Sequence, residues 1–173
     1  QANPYTVLTT LIVVSFVLLL MVLTFIFYQN NPDSFDWENF APWVAGWLTT
    51  TDHKRVGTLY FLAGFFFLGI GGIMAILIRI QLMEPGNDFL TQDQYNQFFT
   101  LHGTTMIFLA AMPLINGAAN WMVPLQIGAP DLAFPRLNAM SFWLQPVGAI
   151  LIFTGVFSGT GADTGWTGYA PYI

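Results

Sequence analysis

An all-α, multi-spanning membrane bundle of four helices is the fold this sequence predicts, and three observations predict it. Hydrophobic residues make up 55% of the 173 and charged residues only 8%, too few to dress a soluble surface. The apolar residues gather into stretches long enough to cross a bilayer, with the scarce charges between them. The breaks between stretches are rich in Pro, Gly and Asn, which turn a chain rather than continue a helix. Composition also excludes much. Lys and Arg together number four and the net charge is −5, so no polybasic surface for nucleic acid is expected. With no cysteine, disulfides, CxxC redox motifs and thiolate metal sites are out of reach. Any metal or cofactor falls to His, carboxylate or carbonyl groups.

The first stretch, residues 7–28, is uncharged. At about 1.5 Å per residue it reaches roughly 33 Å, enough for one crossing. It lacks the basic head and small-residue cleavage site of a secretory signal. Residues 29–51 are polar and aromatic. There Asn30-Asn31-Pro32-Asp33 is expected to break the helix. Trp37, Trp43 and Trp47 suit either an interfacial segment at headgroup level or a loop packed on a neighbouring subunit.

Asp52 is placed to cap a second spanning helix and Lys54-Arg55 to anchor it, and an uncharged run over 56–78 follows. Gly64, Gly69, Gly71 and Gly72 in that run admit close approach, by a second helix or by a flat cofactor. After Arg79 comes an acidic loop, 81–97, with Glu84, Pro85-Gly86, Asp88 and Asp93. The third stretch, 94–130, exceeds one crossing, and Pro113 and Pro124 are expected to kink or end it. Residues 131–136 form a polar loop, 140–156 a fourth span and 158–166 a Gly-rich tail. No repeat of fixed period is present. If Lys54-Arg55 and Arg136 face the cytoplasm, the acidic loop and the tail lie outside, and four crossings place Gln1 outside as well.

Few residues in this pattern carry chemistry. Arg79 ends the second span on the outer side and His102 lies near the outer start of the third, so the topology predicts similar depth for both. Ionisable groups within spans are rare and often functional. His102 reads either as a metal or haem ligand, with Gly103 beside it leaving room for a flat macrocycle, or as a histidine hydrogen-bonded inside the bundle. Arg79 alone reads as a side chain snorkelling to the interface. At the opposite face stands Asp131, with Asn120 eleven positions before it and Asn138 seven after. Such a set can begin a hydrogen-bonded file for protons; equally, Asp131 is a solvated loop residue and the asparagines bridge helices.

Three motifs narrow these alternatives. Asp52-His53-Lys54-Arg55-Val56-Gly57-Thr58-Leu59-Tyr60 resembles the opening of the first core helix of haem–copper respiratory oxidase subunit I. The run Pro124-Leu125-Gln126-Ile127-Gly128-Ala129-Pro130-Asp131-Leu132-Ala133-Phe134-Pro135-Arg136-Leu137-Asn138 resembles that family's loop between core helices two and three. Gly165-Trp166-Thr167-Gly168-Tyr169 resembles its segment after core helix three. The matches fall in the family's order over residues 51–173, so 51–173 is expected to hold the first three core helices. Residues 1–50 then form an extra N-terminal transmembrane helix and an amphipathic linker.

The resemblance implies roles. His102 would be an axial ligand of the low-spin haem, and Arg79 would meet a ring substituent, a formyl group if the haem is of type A. Trp166 would lie near haem propionates. Asp131 would open the proton-uptake route called the D-channel, with Asn120 and Asn138 lining its first section. It further implies a cytochrome c oxidase working with subunits of type II and III and with cytochrome c, set in membrane lipid, in a bacterial inner membrane.

The high-spin haem, the copper and the second axial ligand would belong to parts of the family's chain beyond this region, so this segment alone is not expected to reduce oxygen. Two positions depart from the family's patterns. Gln81 stands where many relatives carry a cation-holding glutamate, so that cation site is not expected. Ile70 and Met74 stand where quinol-oxidising relatives carry an arginine and an acid, which favours cytochrome c as electron donor over quinol. Three other readings remain: a quinol oxidase of the same family, a non-catalytic split or truncated membrane subunit, and a transporter bundle. The last would place its polar groups at mid-membrane, whereas those here sit near the faces.

Overall fold

A computed structural model describes residues 4–30, 37–158 and 160–170. Every regular element among them is helical: α1 (Pro4–Asn30), α2 (Trp37–Leu48), α3 (His53–Gln81), α4 (Gln92–Thr104), α5 (Met112–Ile127) and α6 (Pro135–Phe157). A π-helical turn, Thr105–Ala111, joins α4 to α5 without a break. Four helical stretches are long and apolar enough to cross a membrane: Leu8–Gln29, His53–Gln81, Gln92–Ile127 and Pro135–Gly155. The chain is thus an all-α, integral membrane protein. Residues 31–33 of the expected helix break lie outside the described residues.

The helix ends have local causes. Asp52 caps α3, its Oδ2 accepting the Arg55 N–H at 3.0 Å. Thr91 and Gln94 form a reciprocal capping box at the start of α4. Gly128, at φ +68°, stops α5 in the left-handed conformation, and the Pro124 carbonyl accepts the cap N–H. The third span therefore runs unbroken from Gln92 through both prolines to Ile127, so neither Pro113 nor Pro124 ends it.

Proline still leaves a mark, because it cannot donate to the carbonyl four residues back. For Pro124 that carbonyl is Asn120, and it accepts from His53 Nδ1 at 2.8 Å. For Pro113 it is Leu109, which accepts from Gln145 Nε2 of α6 at 3.2 Å. Each acceptor is reached from a different neighbouring helix.

Helix α3 is the centre of the bundle, and glycines set its contact with the third span. An added Cβ at Gly57 would stand 2.7 Å from Trp121 and 3.1 Å from the Gly117 carbonyl. At Gly64 it would meet Leu114, and at Gly71 it would meet Met106. These three glycines recur every seven residues, so they form one stripe along α3, and their partners descend from Trp121 to Met106, which makes the two spans antiparallel. Gly69 and Gly72 face open space and take no part in the seam.

Helix α1 packs on another side of α3, where Leu8, Ile70, Met74 and Leu77 share a buried cluster. Most of its other large side chains point outward, as suits a helix bathed in lipid. Helix α2 is aromatic. Phe27 of α1 stands edge-on to both Phe40 and Trp43, and Trp43 lies beside Trp47. Arg55 lies over the Trp47 ring at 5.7 Å, tying α2 to the cation-bearing end of α3.

Candidate functional site

The two ends of the bundle, outer and inner only by the expectation from the cations, carry different polar groups. At the outer end, His102 Nδ1 lies 2.9 Å from the Gly71 carbonyl. A carbonyl only accepts, so Nδ1 carries the hydrogen, and the lone pair of the neutral ring is left on Nε2. That is the arrangement a metal-ligating histidine requires, with its other nitrogen fixed by a hydrogen bond. His102 is half-buried. Its partner Gly71 stands eight residues before Arg79 on α3, about 12 Å of helix rise. Arg79 is exposed in the last turn.

The tail folds back over this end. The Gly165 N–H donates to Thr100 Oγ1 at 2.9 Å, and Gly165 at φ +78° turns the chain. Trp166 then lies against Gly103, where an added Cβ would stand 3.1 Å from the indole. Trp166 thus covers the face that the missing side chain of Gly103 leaves open. Trp166 also meets Phe108 edge-on and keeps about half its surface exposed. Trp166 and the His102–Gly103 pair, far apart in sequence, share one neighbourhood.

Above them, Gln81 knits the acidic loop. Its Nε2 donates to the Asn87 carbonyl and its Oε1 accepts the Leu90 N–H at 2.6 Å. Asn87 Nδ2 in turn donates to the Ile80 carbonyl at 2.8 Å. The Gln81 side chain is committed at both its oxygen and its nitrogen.

At the inner end, Asn120 and Asn138 line one open cavity of roughly 500 Å³ between the third span and α6. Tyr60, Asn116, Ser141 and Gln145 line it too. Sequence reasoning did not single out these four. Tyr60 and Ser141 share a hydrogen bond at 2.7 Å across 81 residues of chain, which no local pattern announces. Asn120 Nδ2 donates to the Asn116 carbonyl, while Asn120 Oδ1, Asn138 Nδ2 and Gln145 Oε1 are buried with no partner among the described residues. The three residues that carry these unpartnered atoms all line the one cavity, which gathers hydrogen-bonding capacity there. Asp131 is half-buried in the loop between α5 and α6, its Oδ1 accepting the Leu132 N–H at 2.7 Å, and it is not among the lining residues. No cluster of three or more His, Cys, Asp or Glu exists among the described residues.

The chain is similar to known proteins over most of its length. The family model described as "Cytochrome C and Quinol oxidase polypeptide I" matches residues 55–173. The chain is 52% identical over 125 residues to cytochrome c oxidase subunit 1 of Corynebacterium glutamicum, covering 72% of this chain and 21% of that protein. It is 55% identical over 124 residues to cytochrome c oxidase subunit 1 of Bacillus subtilis, covering 72% of this chain and 20% of that one. The chain thus spans about a fifth of the length of the curated relatives it matches.

Proposed function

The chain belongs to the cytochrome c and quinol oxidase polypeptide I family, and from that premise we propose that it forms the N-terminal part of the catalytic subunit of a terminal oxidase. In this reading electrons pass from cytochrome c through a low-spin haem to a haem–copper centre. There oxygen becomes water while protons are pumped. The observation that carries it is His102, with Nδ1 committed to the Gly71 carbonyl and Nε2 left as donor to iron.

The residues fit a haem. His102 would hold its iron through Nε2, and the bound haem would supply a one-electron relay. Trp166 and Arg79 would face its propionates and its ring substituent, a formyl group if the haem is of type A. The high-spin haem, the copper and the second axial ligand fall to parts of the subunit outside this chain. Subunits of type II and III, cytochrome c and membrane lipid are the partners proposed, and a bacterial inner membrane the location.

The inner cavity takes the proton role. Asp131 would collect protons at the loop, and Asn120 and Asn138 would order a water file with their free amide atoms. Tyr60 and Ser141 extend the same wall.

Cytochrome c is favoured over quinol by Ile70 and Met74. Both are fully buried in the cluster with Leu8 of α1, an environment hostile to an arginine and an acid. The test is oxygen consumption by the complete oxidase with reduced cytochrome c or with a quinol. Consumption with cytochrome c alone is expected, and turnover on quinol alone would overturn that assignment. Replacing Asp131 with Asn is expected to slow proton uptake at least tenfold while leaving the haem spectrum unchanged. Unaltered uptake would remove Asp131 from the route.

A further inference from the structure

We propose that His53 is a positioning residue for Asn120, supplying from a second helix the hydrogen-bond donor that Pro124 removes. Its functional consequence rests on the reading of Asn120 as part of the proton route.

His53 is 3% exposed, in the first turn of α3, and no part of the haem or proton reading uses it. Its Nδ1 lies 2.8 Å from the Asn120 carbonyl. In an unbroken α-helix that carbonyl accepts the N–H four residues on, but the residue there is Pro124, which has none. Pro124 is itself fully buried, so water is a poor substitute donor. The carbonyl can only accept, hence His53 donates through Nδ1, and the ring's rotation and tautomer follow.

The bond acts on the residue that matters. Asn120 has its backbone held by His53 and its amide nitrogen by the Asn116 carbonyl. What remains is Oδ1, buried and unpartnered among the described residues, on a residue that lines the inner cavity. Close packing supports the same point: the Gly57 seam meets Asn120 Cβ and Trp121 four residues beyond His53. The His53 bond holds the Asn120 main chain, and the bond to the Asn116 carbonyl holds its amide, so the two together fix where Oδ1 lies. Without the His53 bond, the carbonyl must seek a donor elsewhere, and the first turn to yield is the one bearing Asn120.

The test uses the complete oxidase and exploits the fact that Pro124→Ala restores the missing N–H within the third span. Four proteins are compared for turnover and thermal stability: the parent, His53→Leu, Pro124→Ala and the double variant. His53→Leu is expected to cut turnover about tenfold with an unchanged haem spectrum, the ratio an unsatisfied buried carbonyl commands. Pro124→Ala should stay near the parent, and the double variant should recover most of the loss. His53→Asn, which sets an amide Nδ2 where Nδ1 stood, should keep at least half the turnover. A histidine that merely fills space predicts losses that multiply and no rescue by Asn; either result overturns the proposal. If His53→Leu fails to assemble, recovered assembly in the double variant is the supporting result, and its absence the refuting one. Rescue of stability without any effect on turnover keeps the bond but removes Asn120 from the proton route. Unaltered proton uptake in Asp131→Asn, with the double-variant rescue intact, shows the same separation.

Discussion

The chain has two histidines, and both set Nδ1 against a main-chain carbonyl of another helix, at 2.8 Å for His53 and 2.9 Å for His102. The bonds are alike and their purposes opposite. At the inner end the carbonyl needs the histidine, because Pro124 has taken away its helical donor. At the outer end the histidine needs the carbonyl: Gly71 lies in the interior of α3 with Ala75 four residues on to serve it, so the extra bond only fixes the ring. One histidine is spent on the fold, and the other is held still so that its second nitrogen is free. A hydrogen-bond distance alone does not separate these cases. What separates them is whether the acceptor has another donor.

The sharpest way to break the contrast is to remove His102. His102→Leu in the complete oxidase is expected to abolish the low-spin haem band and lower oxygen consumption by at least a hundredfold, read by visible spectroscopy and an oxygen electrode. Retention of the band would make His102 a structural histidine like His53.

The glycine seam offers a smaller test of the same inner–outer difference. A Cβ on Gly117 would stand 3.0 Å from the Gly57 carbonyl, which is backbone and cannot yield. A Cβ on Gly71 would meet the Met106 sulfur at 2.5 Å, the movable end of a flexible side chain. Gly117→Ala should cost about 1–3 kcal/mol, Gly71→Ala less, in denaturation of the detergent-solubilised protein. Equal costs would show that the two ends are equally rigid.

Next comes Gln81→Glu, which keeps an acceptor for the Leu90 N–H but loses the donor to the Asn87 carbonyl. A loss of about 1 kcal/mol is expected in the same denaturation measurement, with the Leu90 N–H still protected from hydrogen exchange. The smallest effect belongs to Gly69→Ala, whose Cβ meets nothing within 4 Å. It should be neutral or stabilise by up to about 1 kcal/mol through helix propensity.

Much of this was legible in the residues because membrane spans are local facts. Four apolar runs gave four helices, and Asp52 before Lys54-Arg55 marked a helix start that the Arg55 N–H confirms. Asn120 and Asn138 were expected together, and one cavity unites them. The misses share a physical cause. Gly64 and Gly71 were noticed alongside Gly69 and Gly72, but only the seven-residue spacing with Gly57 shows which face is used. Pro113 and Pro124 are expected to kink or end the third span; neither ends it, and a sequence does not display the donors that arrive from Gln145 and His53.

The bond between His53 and Asn120 also sets an order of events during synthesis. Its donor precedes its acceptor by 67 residues. At the pace of translation, roughly 5–20 residues per second, the imidazole leaves the ribosome about 3–13 s before the carbonyl it serves. The first of the two helices therefore reaches the bilayer carrying a spare donor, and the second never has to wait in lipid with a bare acceptor. Nascent-chain insertion favours this sequence, because the polar group left alone in the interval sits at the end of its helix, within reach of water.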